Sequence, residues 1–221
     1  MNIVPIAEYH TILEDKFGLP RQSGLADYLE GTIIFKGEWA DPEALRGLEL
    51  FSHIWTIWGF HLNEGTAHHT VRPPRLGGNR RVGVFASRSP FRPNGLGISA
   101  VEIVSIDTVK SQIRVRGADL ADGTPIYDIK PYIPYSDSIH NAKPGYTSDE
   151  WKELQVVFPA GTDGIFTESQ ILALRQILAL DPRPRYQDDP EREYGLLFAS
   201  RNVKFRVRND ILEVLSFEER S

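Results

Sequence analysis

Residues 81–106 read RVGVFASRSPFRPNGLGISAVEIVSI. Residues 81–86 and 98–106 are apolar and rich in β-branched side chains, so each predicts a strand. Between them Pro90 and Pro93 fix φ and stiffen a loop, while Gly95 and Gly97 permit close backbone approach. The loop also carries Arg88 and Arg92 beside small hydroxyls, a composition suited to an anionic ligand.

Working outward, short strand signals recur at 29–35, 51–62, 112–117, 203–208 and 211–217, with a short apolar segment at 3–7. Asn209-Asp210 is a two-residue hairpin signal and Asp122-Gly123 marks a tight turn. Helices are few. Asp41-Pro42-Glu43 supplies an N-cap, a first-position proline and a first-turn acid, which predicts a short helix ending near Gly47. Residues 166–180 give the clearest helix: Thr167 and Gln170 form a capping box ahead of an apolar stripe from Ile171 to Leu178. Residues 131–150 are proline-rich and predict a long loop. The chain is therefore mainly β, α+β overall. A barrel or sandwich over residues 1–150 is expected, with a small C-terminal α+β domain over 151–221 leaning on it.

Composition excludes several classes. With 41% hydrophobic residues the chain can fill a core, which rules out global disorder. No run reaches the roughly 18 apolar residues of a membrane helix. The N-terminus lacks the pattern of a secretory signal, so a cytoplasmic protein is expected. There is no cysteine, which removes disulfides, thiolate metal sites and thiol nucleophiles. His68-His69 has no third ligand at metal spacing, so no metal is expected. Phosphate-binding Walker, Rossmann-glycine and nucleophile-elbow motifs are all absent.

The net charge is −5, yet residues 65–101 hold six arginines (Arg72, Arg75, Arg80, Arg81, Arg88, Arg92) and no Asp, Glu or Lys. Arginine without lysine suits fork-shaped recognition of phosphate or carboxylate. Two further segments stand out. One is GADLADGTPIYDIKPYIPYSD, residues 117–137, where Asp128 and Lys130 would share a strand face. The other is the early loop Gly18-Leu19-Pro20-Arg21-Gln22. His61 ends the aromatic segment 51–62, with His53 on the same face.

The strings PRQ, SHIW, VRPPRLGGN, RVGVFASRSPFRPN, DGTPIYDIKPYIPYSDS and DPRPRY resemble the TsaA family, from about residue 3 to the end. These are tRNA methyltransferases acting on the N6 nitrogen of threonylcarbamoyl-adenosine at anticodon-loop position 37. The resemblance implies a β-barrel that binds S-adenosylmethionine (SAM), commonly as a homodimer. It implies cofactor contacts from Pro20, Arg21, Gln22, His61, Leu62, Arg88, Leu96, Leu120, Ala121, Asp122 and Gly123. Gly95-Leu96 departs from the family's usual Pro-Ile or Pro-Leu, and Ala67-His68-His69 stands where a Trp is common.

For the tRNA, the arginines at 72, 75, 80, 81 and 92 are candidates, joined by Arg183, Arg185 and Tyr186 of an extended DPRPRY segment, with Tyr132 and Tyr135 as stacking residues. Asp128 and Asp137 are the candidate catalytic bases. A non-catalytic RNA-binding module is the alternative reading, and a nucleotide hydrolase a third.

Overall fold

The computed structural model describes residues 2–14, 16–63, 65–148, 152–162, 164–183 and 189–219. Its strands, in chain order, are β1 Ala7–Thr11, β2 Glu30–Phe35, β3 His53–Gly59, β4 Thr70–Val71, β5 Val82–Gly83, β6 Leu96–Asp107, β7 Gln112–Arg116, β8 Thr124–Pro131, β9 Gln155–Val157, β10 Glu193–Phe198, β11 Arg201–Arg208 and β12 Ile211–Glu219. The helices are α1 Pro134–Asp137 and α2 Glu168–Ala179.

Six strands close into an antiparallel barrel in the order β1-β2-β7-β6-β3-β8, with β8 returning to β1. Closure removes every sheet edge. Alternate residues point inward, as a two-residue period requires: Ala7 and Tyr9, Ile33 and Phe35, Ile54 and Trp58, Ile113 and Val115 form one core. Gly31 makes room for the Tyr9 ring, since a methyl at 31 would lie 2.2 Å from the Tyr9 hydroxyl oxygen.

The second sheet runs β10-β11-β12-β9. Ala173, Leu174, Ile177 and Leu178 of α2 pack on Leu196, Phe198, Val203 and Phe205. Leu13, Ala26 and Leu29, from the loop between β1 and β2, belong to this same core. The early loop is thus built into the C-terminal unit. Gly18 sits where a methyl would be 2.4 Å from Leu196, and its φ is +90°. The amide of Ala199 donates to the Ile12 carbonyl at 3.0 Å, and that of Tyr28 to the Gln176 side chain at 3.0 Å.

Several expectations need correction. Residues 81–86 form only the two-residue β5, paired with β4, and then a 3-10 turn over Val84–Ala86. The segment lies outside the barrel and has no long partner to extend it. The helix expected after Asp41 is a 3-10 turn, Pro42–Leu45, with the Asp41 carboxylate accepting from the Glu43 amide. The strand signal at 51–62 narrows to β3. β8 carries no clear strand signal in the sequence, because prolines at 125 and 131 bracket it. The expected loop at 131–150 contains α1 and a 3-10 turn at Gly145–Thr147. The Thr167–Gln170 capping box is present, and Asn209 and Asp210 both take positive φ, 49° and 64°, as a tight hairpin needs.

Candidate functional site

The arginine loop is held by its own short side chains. The Ser87 hydroxyl donates to the Val84 carbonyl at 2.8 Å and accepts from the Ser89 amide at 3.3 Å. Arg92 turns inward and donates to the carbonyls of Ser87 (3.1 Å) and Ser89 (3.4 Å). Phe91 packs against His68, ring centres 5.3 Å apart, and Gly65 leaves the space for it. Gly95 closes the loop at φ +57°. A proline could not adopt that angle, so the departure at 95 fits this loop's own geometry.

Arg88 points out of the loop and donates to the side-chain oxygen of Gln22. The neighbouring Arg21 donates to the Asp181 carbonyl at 3.4 Å. Residues 20–22 therefore join the arginine loop to the end of α2.

Near this junction lies Asp119, whose side chain carries no signal of its own in the sequence. Ser99, on β6, donates to its carboxylate at 2.5 Å, and Trp58, on β3, donates to the Ser99 hydroxyl at 3.0 Å. Loss of water around the carboxyl raises its pKa; the Ser99 hydroxyl, backbone amides including that of Ser23, and the Arg88 charge oppose that rise. Burial likewise raises the pKa of the Tyr9 phenol. No sequence motif marks Asp119, because its partners come from three separate segments.

A cleft of about 1950 Å³ opens between the arginine loop, the 143–147 segment and the end of α2. Arg21, Arg72, Arg75, Arg81, Arg88, Arg183 and Lys143 line it, and no Asp or Glu does among the described residues. Phe85 and Leu25 add apolar surface. Tyr146 donates to the Ala86 carbonyl at 3.0 Å and Arg75 to that of Thr147 at 3.1 Å, which ties the far wall to the arginine loop.

Seven sequence-predicted residues thus meet in or on one cleft: Arg21, Gln22, Arg72, Arg75, Arg81, Arg88 and Arg183. Arg80 and Arg92 are not among its walls. His61 lies 3.4 Å from the Thr124 hydroxyl and beside Gly123, at the barrel end that also holds the buried Leu120 and Ala121. The carboxylate of Asp122 accepts from the Thr11 amide at 3.0 Å and lies 3.2 Å from His10, so it faces β1. The amides of Asp122 and Gly123 donate to the carbonyls of Leu13 and Tyr9.

Asp128 pairs with Lys130 at 3.4 Å on the barrel surface. Asp137 accepts from the Trp55 indole (2.9 Å) and the Ile133 amide (2.9 Å), which secures α1. Neither lines the cleft. Tyr132 packs on Trp55, ring centres 5.5 Å apart, while Tyr135 is 91% exposed.

The expectation that DPRPRY presents its side chains fails at Arg183. Its guanidinium folds back on the Asp181 carboxylate at 2.8 and 3.0 Å and is only 12% exposed. Asp181 takes φ 53°, which turns the chain and brings the two together. Arg185 and Tyr186 lie outside the described residues. Among the described residues, no group of three or more His, Asp or Glu could hold a metal ion, and no helix is long and apolar enough to cross a membrane.

Comparison with known proteins gives a consistent picture. The tRNA-methyltransferase O N-terminal domain matches residues 8–138, and the C-terminal domain of the same family matches residues 153–220. A tRNA (adenine(37)-N6)-methyltransferase of Escherichia coli K12 is 40% identical over 94% of this chain and 93% of its own length. A Pseudomonas aeruginosa relative, provisionally named an S-adenosylmethionine-dependent methyltransferase, is 39% identical over 97% of this chain and 96% of its own. The crystal structure of TrmO from P. aeruginosa superposes with a TM-score of 0.83 at 31% identity, covering all of this chain and 97% of that one.

Proposed function

Because the chain belongs to the tRNA-methyltransferase O family, for which TsaA is a synonym, we propose that its cleft brings SAM and tRNA together for methylation of the N6 nitrogen of adenine 37. The observation that carries this reading is the acid-free cleft, in which Arg21, Gln22 and Arg88 sit beside Arg72, Arg75 and Arg81. Cofactor-type and phosphate-type donors share one space there. The finer substrate is threonylcarbamoyl-adenosine, as the sequence resemblance implies.

The donor set fits SAM. A guanidinium fork matches an amino-acid carboxylate, and Arg88 offers one already steadied by Gln22. Leu120 and Ala121 are buried and anchor the turn at Gly123 (φ +74°), which lies beside His61; the backbone of this turn is proposed to face the adenine. Pro20, Leu62 and Leu96 are proposed to complete the pocket. Bound there, SAM supplies a methyl group already activated on a sulfonium.

The residues then have two tasks: to align acceptor nitrogen, methyl and sulfur, and to exclude water. The arginines of the cleft hold the phosphates, and an unpaired loop base has room to stack on exposed Phe85. Asp137 is committed to Trp55 and Ile133 and Asp128 to Lys130, and neither lines the cleft, so positioning of donor and acceptor rather than either carboxylate is proposed to drive the step. The second unit is proposed to add a tRNA contact through Arg185 and Tyr186, since Arg183 is committed to Asp181 at the cleft wall. The resemblance also carries the proposals of a homodimer, a cytoplasmic setting and chemistry without a metal.

The test is methyl transfer from SAM to tRNA. Product at adenine 37, absent from a tRNA bearing guanine there, is the expected result. Thermal stabilisation by SAM should reach about 2.7 kcal/mol at 100 times its Kd. A chain that binds tRNA, ignores SAM and transfers no methyl would be the RNA-binding module instead.

A further inference from the structure

We propose that Phe85 is the stacking platform for a base adjoining adenine 37, and that by taking this base it holds the target adenine out of the loop's own stack, towards Arg88. The proposal rests on the reading of the cleft as the tRNA site and deepens it by naming the nucleotide and the side chain that meet.

Phe85 is 80% exposed on the wall of the cleft. The aromatic pairs among the described residues all leave it out. Its backbone, by contrast, is held on both sides. The Val84 side chain is buried, and the Val84 amide donates to the His69 carbonyl at 3.0 Å. The Ser87 amide and hydroxyl both donate to the Val84 carbonyl, at 3.1 and 2.8 Å. Tyr146 donates to the Ala86 carbonyl at 3.0 Å. A ring presented on so fixed a turn has only its own side-chain torsions to lose on binding, which keeps the entropy cost low.

The surroundings name the occupant. Arg72, Arg81 and Arg88 share the cleft with the ring, and no Asp or Glu lines it among the described residues. Gly77 and Gly78 in the same cleft leave bare backbone, with nothing within 4 Å of where a methyl would sit. An apolar protein surface docking here would bury the guanidiniums against carbon. A single-stranded nucleic acid instead offers phosphates to the arginines and a flat π face to the ring. Phe85 precedes Arg88 by three residues, so their Cα atoms are at most about 11 Å apart. A base stacked on the ring therefore lies beside the target, not in the stem. The stacking gained at Phe85 offsets what the loop loses when adenine 37 turns out.

The experiment measures tRNA affinity, its salt dependence, and kcat and KM for methyl transfer, for the full-length wild type, Phe85→Ala, Phe85→Leu and Phe85→Trp, with SAM affinity and sedimentation alongside. Loss of one stacked base weakens binding roughly five- to 150-fold. Phe85→Ala and Phe85→Leu should both fall in that range and also lower kcat, because the target adenine returns to its stack. Phe85→Trp should restore both. The salt slope and SAM affinity should keep their wild-type values, since no charge is removed. In wild type, a tRNA carrying 5-iodouridine at a position adjoining 37 should photo-crosslink to Phe85; this measurement decides the matter if Phe85→Ala does not fold. Wild-type kcat/KM at Phe85→Ala, full activity at Phe85→Leu, or a cross-link that maps away from Phe85 at both adjoining positions overturns the proposal alone. So does sedimentation that shifts with Phe85→Ala, which would seat the ring between two copies of the chain. Unchanged tRNA affinity in Arg72→Ala/Arg81→Ala overturns the cleft as the tRNA site and the proposal together.

Discussion

The Arg88 guanidinium donates to the side-chain oxygen of Gln22, a residue 66 positions earlier in the chain. One end is the arginine loop and the other is the loop built into the C-terminal core, so this single bond closes the site. Arg88→Ala should weaken SAM binding by about 1.5–3 kcal/mol, the value of a lost charge-assisted hydrogen bond. Gln22→Ala should cost less, since it frees Arg88 without removing its charge. Calorimetry with SAM reads both, and the reverse order would detach Arg88 from the cofactor.

Gly97 and Trp58 set a second constraint. They face each other across the β3–β6 ladder, and a methyl at 97 would come within 2.4 Å of the indole. Gly97→Ala must push the ring, which also carries the hydrogen bond to Ser99. Overpacking of this kind costs about 1–3 kcal/mol. Denaturant unfolding should show that loss, and SAM affinity should fall with it. An unchanged midpoint would mean that the Trp58 packing is slack.

The arginines divide by position. Arg72 and Arg81 line the cleft and Arg80 does not. Each phosphate contact on a single strand adds about 0.7 to the slope of log affinity against log salt. The double variant Arg72→Ala/Arg81→Ala should therefore lower the tRNA slope by about 1.4, with Arg80→Ala changing it less. A larger effect from Arg80 would move the RNA surface off the cleft.

Much of this was legible. The strands at 29–35, 98–106 and 112–117 announced themselves by β-branched content and turn residues, and the Thr167 cap and the Asn209-Asp210 hairpin are local chemistry. β8 stayed hidden because Pro125 and Pro131 break its signal while Asp128 and Lys130 face solvent. The arginine loop was legible as a ligand loop. The separation of its arginines, Arg88 outward and Arg92 turned to local carbonyls, depends on coordinates. So does Asp119, whose partners Ser99, Arg88 and Ser23 meet only when the barrel closes.

Two carboxylates give opposite pH signatures. The folded pKa of Asp119 is raised, so its contribution to stability is fully present below the unfolded pKa and is lost as pH rises through the folded one. Without SAM, Asp119→Asn should thus gain in Tm over wild type at pH 8, and the gain should vanish towards pH 4. Glu102 is the reverse. Two hydrogen bonds from Arg116, both 2.7 Å, hold its carboxyl below the usual range. Its contribution is present above the unfolded pKa and lost as pH falls through the folded one. Glu102→Gln should lower Tm slightly at pH 7 and converge with wild type in acid. Melting curves against pH check both, and curves of the same sign would contradict the assigned environments.

The last prediction concerns the dependence of the cofactor loop on the C-terminal unit. Leu13, Ala26 and Leu29 are buried against α2 and the second sheet, not inside the barrel. Gly18 packs on Leu196 with φ +90°, Tyr28 is held by Gln176, and Arg21 reaches the Asp181 carbonyl. Apart from Arg88, which holds Gln22, and Leu154 and Val156 of the shared core, these anchors of residues 12–29 come from beyond residue 170. A chain ending at residue 150 should keep the strands of the barrel but lose the frame that presents Gln22 to Arg88. SAM affinity should fall at least tenfold, and newly exposed leucines should promote aggregation. Gly18→Ala probes the same link with one methyl group: the new Cβ meets Leu196, and the positive φ disfavours any side chain. The two effects together should cost about 2–4 kcal/mol. Calorimetry and thermal melting of both variants decide the question. If the shortened chain melts cooperatively and binds SAM as the full chain does, the barrel holds its own cofactor loop and the C-terminal unit serves the tRNA alone.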